Sequence, residues 1–479
     1  MPFNSIEFAA FLPAAFAAYW LCARNARLQN LCTVAAGWVF YGWWDWRFLS
    51  LIAFTSAWSW GAGLLERSRA ERGLAPSRVI LASSCIVNLG ILAAFKYWDF
   101  FAAEAAAALS SIGFRVNAPL IGVLLPAGVS FYTFQALSYT IDAYRRRIVP
   151  VRDPVAFFAY ISFFPQLVAG PIERATDLLP QFLAPRSFRC DEAVVGLRQA
   201  LWGFFKKCVV ADNCAVVADA LLAGPADASC PAAWAGTLAF AFQIYADFSG
   251  YSDIAIGIAR LFGIRLSQNF DCPYFSRDIA EFWRRWHKTL TGWFRDYLYI
   301  PLGGSRCGTR RKVFNVFAIF LASGIWHGAN RTFIVWGAFH ACLFLPLILS
   351  GRNRKWLAPP AEGRALPSPR EAVGMAATFL AVLAGWTFFR AETVSRAVLW
   401  LASMAGLRGF APPALPREAA AAAVASVAML AAEWFNRRES FGFARLPASP
   451  IARRAIYLAL AWLIVFYAPG SDSFVYFRF

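Results

Sequence analysis

Apolar runs separated by short polar or Gly/Pro-rich stretches recur along the whole chain. Ile6 to Cys22, Leu28 to Trp44, Phe48 to Leu65, Val79 to Phe95 and Leu120 to Ile141 come near or exceed the ~20 apolar residues a helix needs to cross a bilayer. Val155 to Val168, Ala233 to Phe262, Val313 to Trp326, Thr332 to Leu349, Ala372 to Phe389, Ala419 to Trp434 and Ala455 to Ala468 extend the series. The pattern predicts an all-α polytopic membrane protein of roughly ten to twelve helices, read as one integral membrane domain. Residues 1–150 read as simple helices with short loops. Between about 155 and 345 apolar runs alternate with polar, Gly-rich and Pro-rich stretches. Irregular backbone at membrane depth is tolerated where it is buried in protein or lines a cavity, so the middle is where a site is expected. Gly351 to Arg370, with Arg352, Arg354, Lys355, Arg364 and four prolines, reads as a basic cytoplasmic loop, and 371–479 as Ala-rich packing helices.

Composition agrees: hydrophobic residues make up 59% and charged residues 15% of 479, against roughly 25% charged in a soluble domain. A secretory signal carries positive charge before its apolar core, whereas here Glu7 precedes the first long run's core and Arg24 and Arg27 follow it. A retained first helix is expected, with its N-terminus outside. Arg24, Arg27, Arg67, Arg69, Arg72, Arg78, Arg145, Arg146, Arg147 and Arg152 give ten basic residues on one side of the first five helices, against Arg47, Lys96 and Arg115 on the other. That asymmetry supports the same orientation. It also accounts for the net charge of +18 without nucleic acid, which needs a basic soluble face or module. Most of the ten cysteines lie in or beside apolar runs and none forms a CxxC pair, so neither a zinc site nor a redox motif is indicated.

The three histidines fall close together: His287 in FWRRWH, His327 in SGIWHGAN and His340 in WGAFHA. An ionisable residue inside a membrane segment is costly and marks a candidate site. His327 stands out, because it ends an apolar run and is bracketed by Gly324 and Gly328, which permit close approach or a helix break. Asp271 to Lys312 interleaves nine basic residues with Trp283, Trp286, Trp293, Tyr297 and Tyr299. Such a mixture suits an interfacial helix, an anionic ligand, or both. A helix over Glu281 to Tyr297 would bring Arg284 and Lys288 to one face beside His287, and neighbouring cations would favour the neutral imidazole. His327 and His340 on one helix would lie roughly 220° apart at 3.6 residues per turn, and no HxxxH or HExxH is present, so no metal is expected. His340 is assigned a supporting role. In YADFSGYSD, Asp247 and Asp253 suit proton relay, ion coordination or structural pairing with a buried Arg, and pairing is favoured because a lone buried carboxylate costs more. FPQLVAGPIER, Phe164 to Arg174, has the Gly-Pro break of a cavity-lining loop, although Glu173 and Arg174 also suit a helix end.

Together these stretches resemble the membrane-bound O-acyltransferase (MBOAT) family, and within it the bacterial alginate O-acetylation branch. The resemblance rests on LLPAGVSFYTFQALSYTIDAYR at Leu124 to Arg145, FPQLVAGPIER, YADFSGYSDIAIGIARLFGI, and Asn269 to Arg306 with FWRRWH. SGIWHGANRTFIVWGAFHA, GWTFFRAE at Gly385 to Glu392 and the terminal FVYFRF complete it. It implies a multi-helix inner-membrane enzyme with a buried funnel and tunnel, moving an acyl group from a cytoplasmic thioester to a hydroxyl. The family's essential histidine carries over to His327 and the second to His287. Arg284, Trp286, Asn330 and Asp253 are candidates for substrate or donor binding. WGAFHA departs from the branch's WGAWHG at Phe339 and Ala341, which weakens a catalytic claim for His340.

On this reading His327 is the general base and His287 orients a reactant or stabilises developing charge, with Arg284 or Trp286 helping at the oxyanion. Acetyl-CoA or another acyl thioester is the expected donor, with no bound cofactor. A separate periplasmic SGNH-type partner is expected to hand the acetyl group to an exopolysaccharide such as alginate. The alternatives are the same chemistry on peptidoglycan, cellulose or, by D-alanyl transfer, teichoic acid; a transporter using Asp247 or Asp253 is the rival from another class.

Overall fold

The computed structural model describes residues 1–114, 117–122, 124–223 and 229–467, and no strand occurs among them. Arg115 and the terminal FVYFRF lie outside the described residues. The chain divides into two compact units, Met1–Ala193 with Ile258–Leu266, and Val194–Gly257 with the described residues from Ser267 onward. Among the described residues, five helical stretches are long and apolar enough to cross a membrane: Ala26–Glu71, Arg78–Ser111, Arg331–Leu349, Pro369–Arg390 and Pro450–Tyr467.

The first unit opens with α1 (Ile6–Leu21), α2 (Ala26–Asp45) and α3 (Leu49–Glu71). It continues with α4 (Arg78–Leu92), α5 (Trp98–Ser111), α6 (Val129–Tyr144) and α7 (Pro154–Ser162). Side chains that compete for backbone hydrogen bonds start these helices: Ser5 caps α1, Asn25 caps α2, Ser77 caps α4 and Asp153, with proline following, caps α7. A π-turn, Ala93–Tyr97, joins α4 to α5 into one span, so Lys96 sits within a helix rather than in the loop expected for it. The buried residues of α4 are Ser84, Asn88 and Leu92, while Val79, Ile86 and Leu89 are exposed. This is the reverse of a soluble amphipathic helix, and it follows from a lipid surround that rewards no apolar burial. Ser84 donates to Thr140 at 3.0 Å and Asn88 to Ser59 at 3.3 Å, tying α4 to α6 and α3. The expected run Leu120 to Ile141 becomes helical only at α6, after Gly128 (φ 73°), and Val155 to Val168 breaks at Phe163.

The second unit holds most of α8 (Cys190–Phe204) and of α10 (Cys230–Leu261), with α9 (Asp212–Leu222) between them in sequence. α10 runs unbroken through Ser249 to Ser252, so Asp247 and Asp253 stand on one continuous helix. Gly203 faces Gly250 and Gly196 faces Gly257, so closely that a methyl group at Gly203 would lie 2.6 Å from the Gly250 carbonyl. Small residues allow such backbone contact between membrane helices. The crossing brings two buried lysines from the π-turn after α8 within reach of α10. Lys206 Nζ lies 2.6 Å from Asp253 Oδ2, and Lys207 Nζ 2.9 Å from Asp247 and 2.7 Å from Asp212. The carboxylates are therefore paired, with lysine where arginine was expected. Removing one partner of a buried pair leaves the other charge uncompensated, at a cost of about 3–5 kcal/mol. Lys206→Met is expected to lower the thermal stability of the detergent-solubilised protein sharply, and adding Asp253→Asn to recover most of the loss. Melting curves of the two variants check this, and no recovery in the double variant would refute the pairing.

Candidate functional site

Two helix breaks build the site. Asp278 accepts the Glu281 N–H at 2.7 Å and starts α11 (Ile279–Arg285), which ends at the extended Trp286; α12 (Lys288–Phe294) follows, then a π-turn, Arg295–Tyr299. The single helix expected over Glu281 to Tyr297 is thus broken at His287, whose backbone is left-handed (φ 44°, ψ 53°). That conformation costs a non-glycine residue roughly 1–2 kcal/mol. It is held by two backbone bonds that flank the corner, Lys288 N–H to Asn269 O at 2.8 Å and Asp271 N–H to Arg285 O at 3.0 Å. Arg284 and Lys288 consequently do not share a helix face. The second break separates α13 (Thr309–His327) from α14 (Arg331–Leu349) at Gly328, leaving His327 on the last residue of α13. The two helices pack backbone to backbone, with Gly324 against the Phe333 carbonyl and Gly337 against the Phe320 carbonyl.

A cavity of about 470 Å³ is lined by both His287 and His327. Trp283, Trp286, Thr291 and Ser323 line it too, as do the basic residues Arg284, Lys288, Arg295 and Arg354, and no carboxylate is among its lining residues. His287 and His327 are 1% and 4% exposed, so bulk water is largely excluded from both rings. His287 Nδ1 lies 3.0 Å from Asn269 Oδ1, and its ring stands edge-on to Phe248 at 4.7 Å. Burial lowers its proton affinity well below that of a free imidazole. The neutral form is favoured as expected, but through desolvation rather than through the cations beside it. His327 packs against Trp326, Trp336 and Phe389 with ring centroids at 4.9 to 5.2 Å. Its place at the carbonyl end of α13 favours a developing positive charge.

The remaining candidates fall in different places. His340, on α14, is fully buried among Trp283, Trp336, Phe282 and Phe320, and neither ring nitrogen has a hydrogen-bond partner among the described residues. It is absent from the cavity lining and sits directly under Gly385, where a methyl group would come within 2.7 Å of Nε2. Asn330 caps α14, accepting from Thr332 N–H at 3.0 Å and donating to the Glu392 carbonyl at 3.0 Å. Asp253 is bound by Lys206 and by Gln199, whose amide donates at 2.8 Å. Trp286 lines the cavity and stacks on Phe282 at 5.5 Å. Arg284 lines it as well, while donating to the carbonyls of Asn353 and Trp356 in the basic loop. Asn269, Thr291, Ser323 and Arg354 had no assigned role in the sequence reading; Ser323 stands four residues before His327 on α13, a spacing that could have found it, whereas Asn269 and Arg354 reach the site through chain folding that no local spacing reveals.

Residues 143–357, which contain all three histidines, match the model of the MBOAT, membrane-bound O-acyltransferase family. A probable alginate O-acetylase of Pseudomonas putida is 41% identical over 80% of this chain and 76% of its own. The chain belongs to the membrane-bound O-acyltransferase family. It is also 33% identical to a peptidoglycan O-acetyltransferase of Helicobacter pylori over 86% of this chain and 80% of that protein. A teichoic acid D-alanyltransferase of Bacillus subtilis is 26% identical over 59% of this chain and 72% of its own. This membrane-bound O-acyltransferase is therefore a multi-pass membrane enzyme, and the transporter reading is set aside.

If His340 is packing and not chemistry, deleting its nitrogens while keeping an apolar body is tolerated. His340→Leu is expected to keep acyl transfer within about tenfold of the unmodified enzyme, because a volume-conserving core change costs only under ~1.5 kcal/mol of stability and His340 is outside the cavity lining. Initial rates in membranes containing matched amounts of protein check it; abolished transfer would show that His340 is needed for the chemistry.

Proposed function

We propose that this enzyme moves an acetyl group from a cytoplasmic thioester donor, acetyl-CoA, across the inner membrane for O-acetylation of an exopolysaccharide such as alginate. The observation that carries the chemistry is the opening of His327 and His287 onto one cavity rimmed by basic residues. His327 takes the proton of the acceptor hydroxyl as its oxygen bonds to the thioester carbonyl carbon. The tetrahedral intermediate then collapses, the C–S bond breaks, and the thiol leaves with the proton returned by the imidazolium. His287 orients a reactant or steadies the developing charge, and Trp286 stands beside it at the cavity wall.

Names of relatives support the polymer acceptor: relatives 39–41% identical are named probable alginate O-acetylases. Relay through a periplasmic SGNH-type partner, inner-membrane placement and a single functional domain are further parts of this reading. So is an outside N-terminus, favoured by Arg24 between α1 and α2 and by Arg145 to Arg147 after α6. Peptidoglycan, named for the Helicobacter pylori relative, is the second acceptor to be tested.

His327→Ala is expected to abolish transfer at unchanged protein level and membrane insertion. Mass analysis of cell-surface polymers from strains carrying the unmodified and altered genes identifies which polymer loses acetyl esters; full O-acetylation with His327→Ala would refute the base assignment. The donor is tested at Lys288 and Arg354, which line the cavity and make no ion pair with a carboxylate among the described residues. A phosphate contact of about 1.5–3 kcal/mol corresponds to at least tenfold in affinity. Lys288→Glu and Arg354→Glu should raise KM for acetyl-CoA by about that factor with kcat little changed, whereas unchanged KM values would exclude a phosphate-bearing donor at this rim.

A further inference from the structure

The side chain of Asn269 meets both the His287 ring and the chain just beyond it. Its Oδ1 lies 3.0 Å from His287 Nδ1, accepts from Thr289 Oγ1 at 2.9 Å, and faces the Thr289 backbone N–H at 3.5 Å. A backbone N–H can only donate, so the amide atom turned toward it is the oxygen. The amide nitrogen then points the other way and donates to Ser252 Oγ on α10 at 3.3 Å. An oxygen opposite Nδ1 requires that Nδ1 carry the proton. Nε2 is left as a bare lone pair, buried, without a protein partner among the described residues, on a residue that lines the cavity.

We propose that Asn269 is a positioning residue that holds His287 as the Nδ1–H tautomer, so that Nε2 accepts a hydrogen bond from the acceptor hydroxyl. This rests on the reading that His287 faces the reacting groups, and it decides between the two roles open to that ring. A neutral imidazole with a bare Nε2 orients a hydroxyl; it cannot donate to an oxyanion. The left-handed corner serves the same geometry. Lys288 N–H donates to Asn269 O while the Asn269 side chain takes Nδ1, so backbone and ring are fixed by a single residue.

The protein has only three histidines, which makes the tautomer directly readable. Nitrogen NMR of the full-length, histidine-labelled enzyme in proteoliposomes, with the His287 signals assigned by their loss in His287→Gln, should report a protonated Nδ1 and an unprotonated Nε2. Asn269→Leu should release the ring to the other tautomer and lower kcat with acetyl-CoA by about a hundredfold, the effect of a misplaced catalytic group, with KM nearly unchanged. Asn269→Asp keeps the acceptor, so it should preserve the tautomer and most of kcat. Its carboxylate favours the imidazolium, so the acidic limb of the pH–rate profile should move to higher pH. Protonated Nε2 in the unmodified enzyme, or an Asn269→Leu variant with tautomer and kcat intact, overturns the assignment. A correct tautomer together with full activity of His287→Gln would overturn the role given to His287 under the proposed function, a separate result from failure at Asn269.

Discussion

A turn placed among apolar side chains must find protein partners for its own backbone, because neither lipid nor a water-poor cavity will supply them. The corner at His287 meets that constraint by lying against the segment Asn269 to Asp271, which takes one N–H and gives another on either side of the left-handed residue. Everything near the cavity depends on that arrangement. Without it the segment from Ile279 to Tyr299 is free to continue as one helix, and the ring of His287 would sweep around the axis with its neighbours instead of standing off at a fixed angle. The strained backbone is local, but what holds it comes from distant sequence.

The same constraint explains why so many basic residues near the site are engaged by the protein's own carboxylates and carbonyls. Arg277 and Arg285 both pair with Glu281, and Arg277 reaches Glu371 at 3.0 Å. Arg284 and Arg437 donate to carbonyls of the 351–370 stretch, at Asn353 and Trp356 and at Pro360, Ala361 and Arg364. Guanidinium, with five donors in a planar fork, suits a loop whose carbonyls have no helix or sheet to satisfy them. A basic loop is thus tied down by arginines, which a charge count alone reads as repulsion. What remains for an anionic ligand is the smaller set at the cavity rim.

The sequence carried the membrane class in its apolar runs, and the two histidines of the cavity in the rarity of histidine itself. Local chemistry was legible where it is local, as in the close approach at Gly324 and the helix end at Gly328. The break at His287 was not, since Glu281 to Tyr297 contains no proline and only Gly292, and its helix propensity is ordinary. Tertiary hydrogen bonds override that propensity. Asp247 and Asp253 were recognised as needing partners, yet the partners are lysines delivered by a glycine crossing whose register depends on Gly196, Gly203, Gly250 and Gly257 together. Asn269 carried no signal of its own. An asparagine acquires a role here only when the chain folds it back onto a histidine eighteen positions further on.

Three identical side chains therefore have three different physical lives within one unit. His340 is enclosed by aromatic rings with neither nitrogen engaged, so its imidazole behaves as a small flat hydrophobe, and the missing methyl at Gly385 is what makes room for it. His287 has one nitrogen committed to an amide and the other available, an arrangement that fixes a direction but disfavours charge in a desolvated setting. His327, though buried as well, stands at the carbonyl end of a helix, whose dipole favours positive charge there. A base must hold a proton during the reaction and an orienting acceptor must not. In the function proposed above those duties fall to His327 and His287 respectively, and the helix terminus and the amide-bound corner support that division by electrostatics that residue identity alone does not encode.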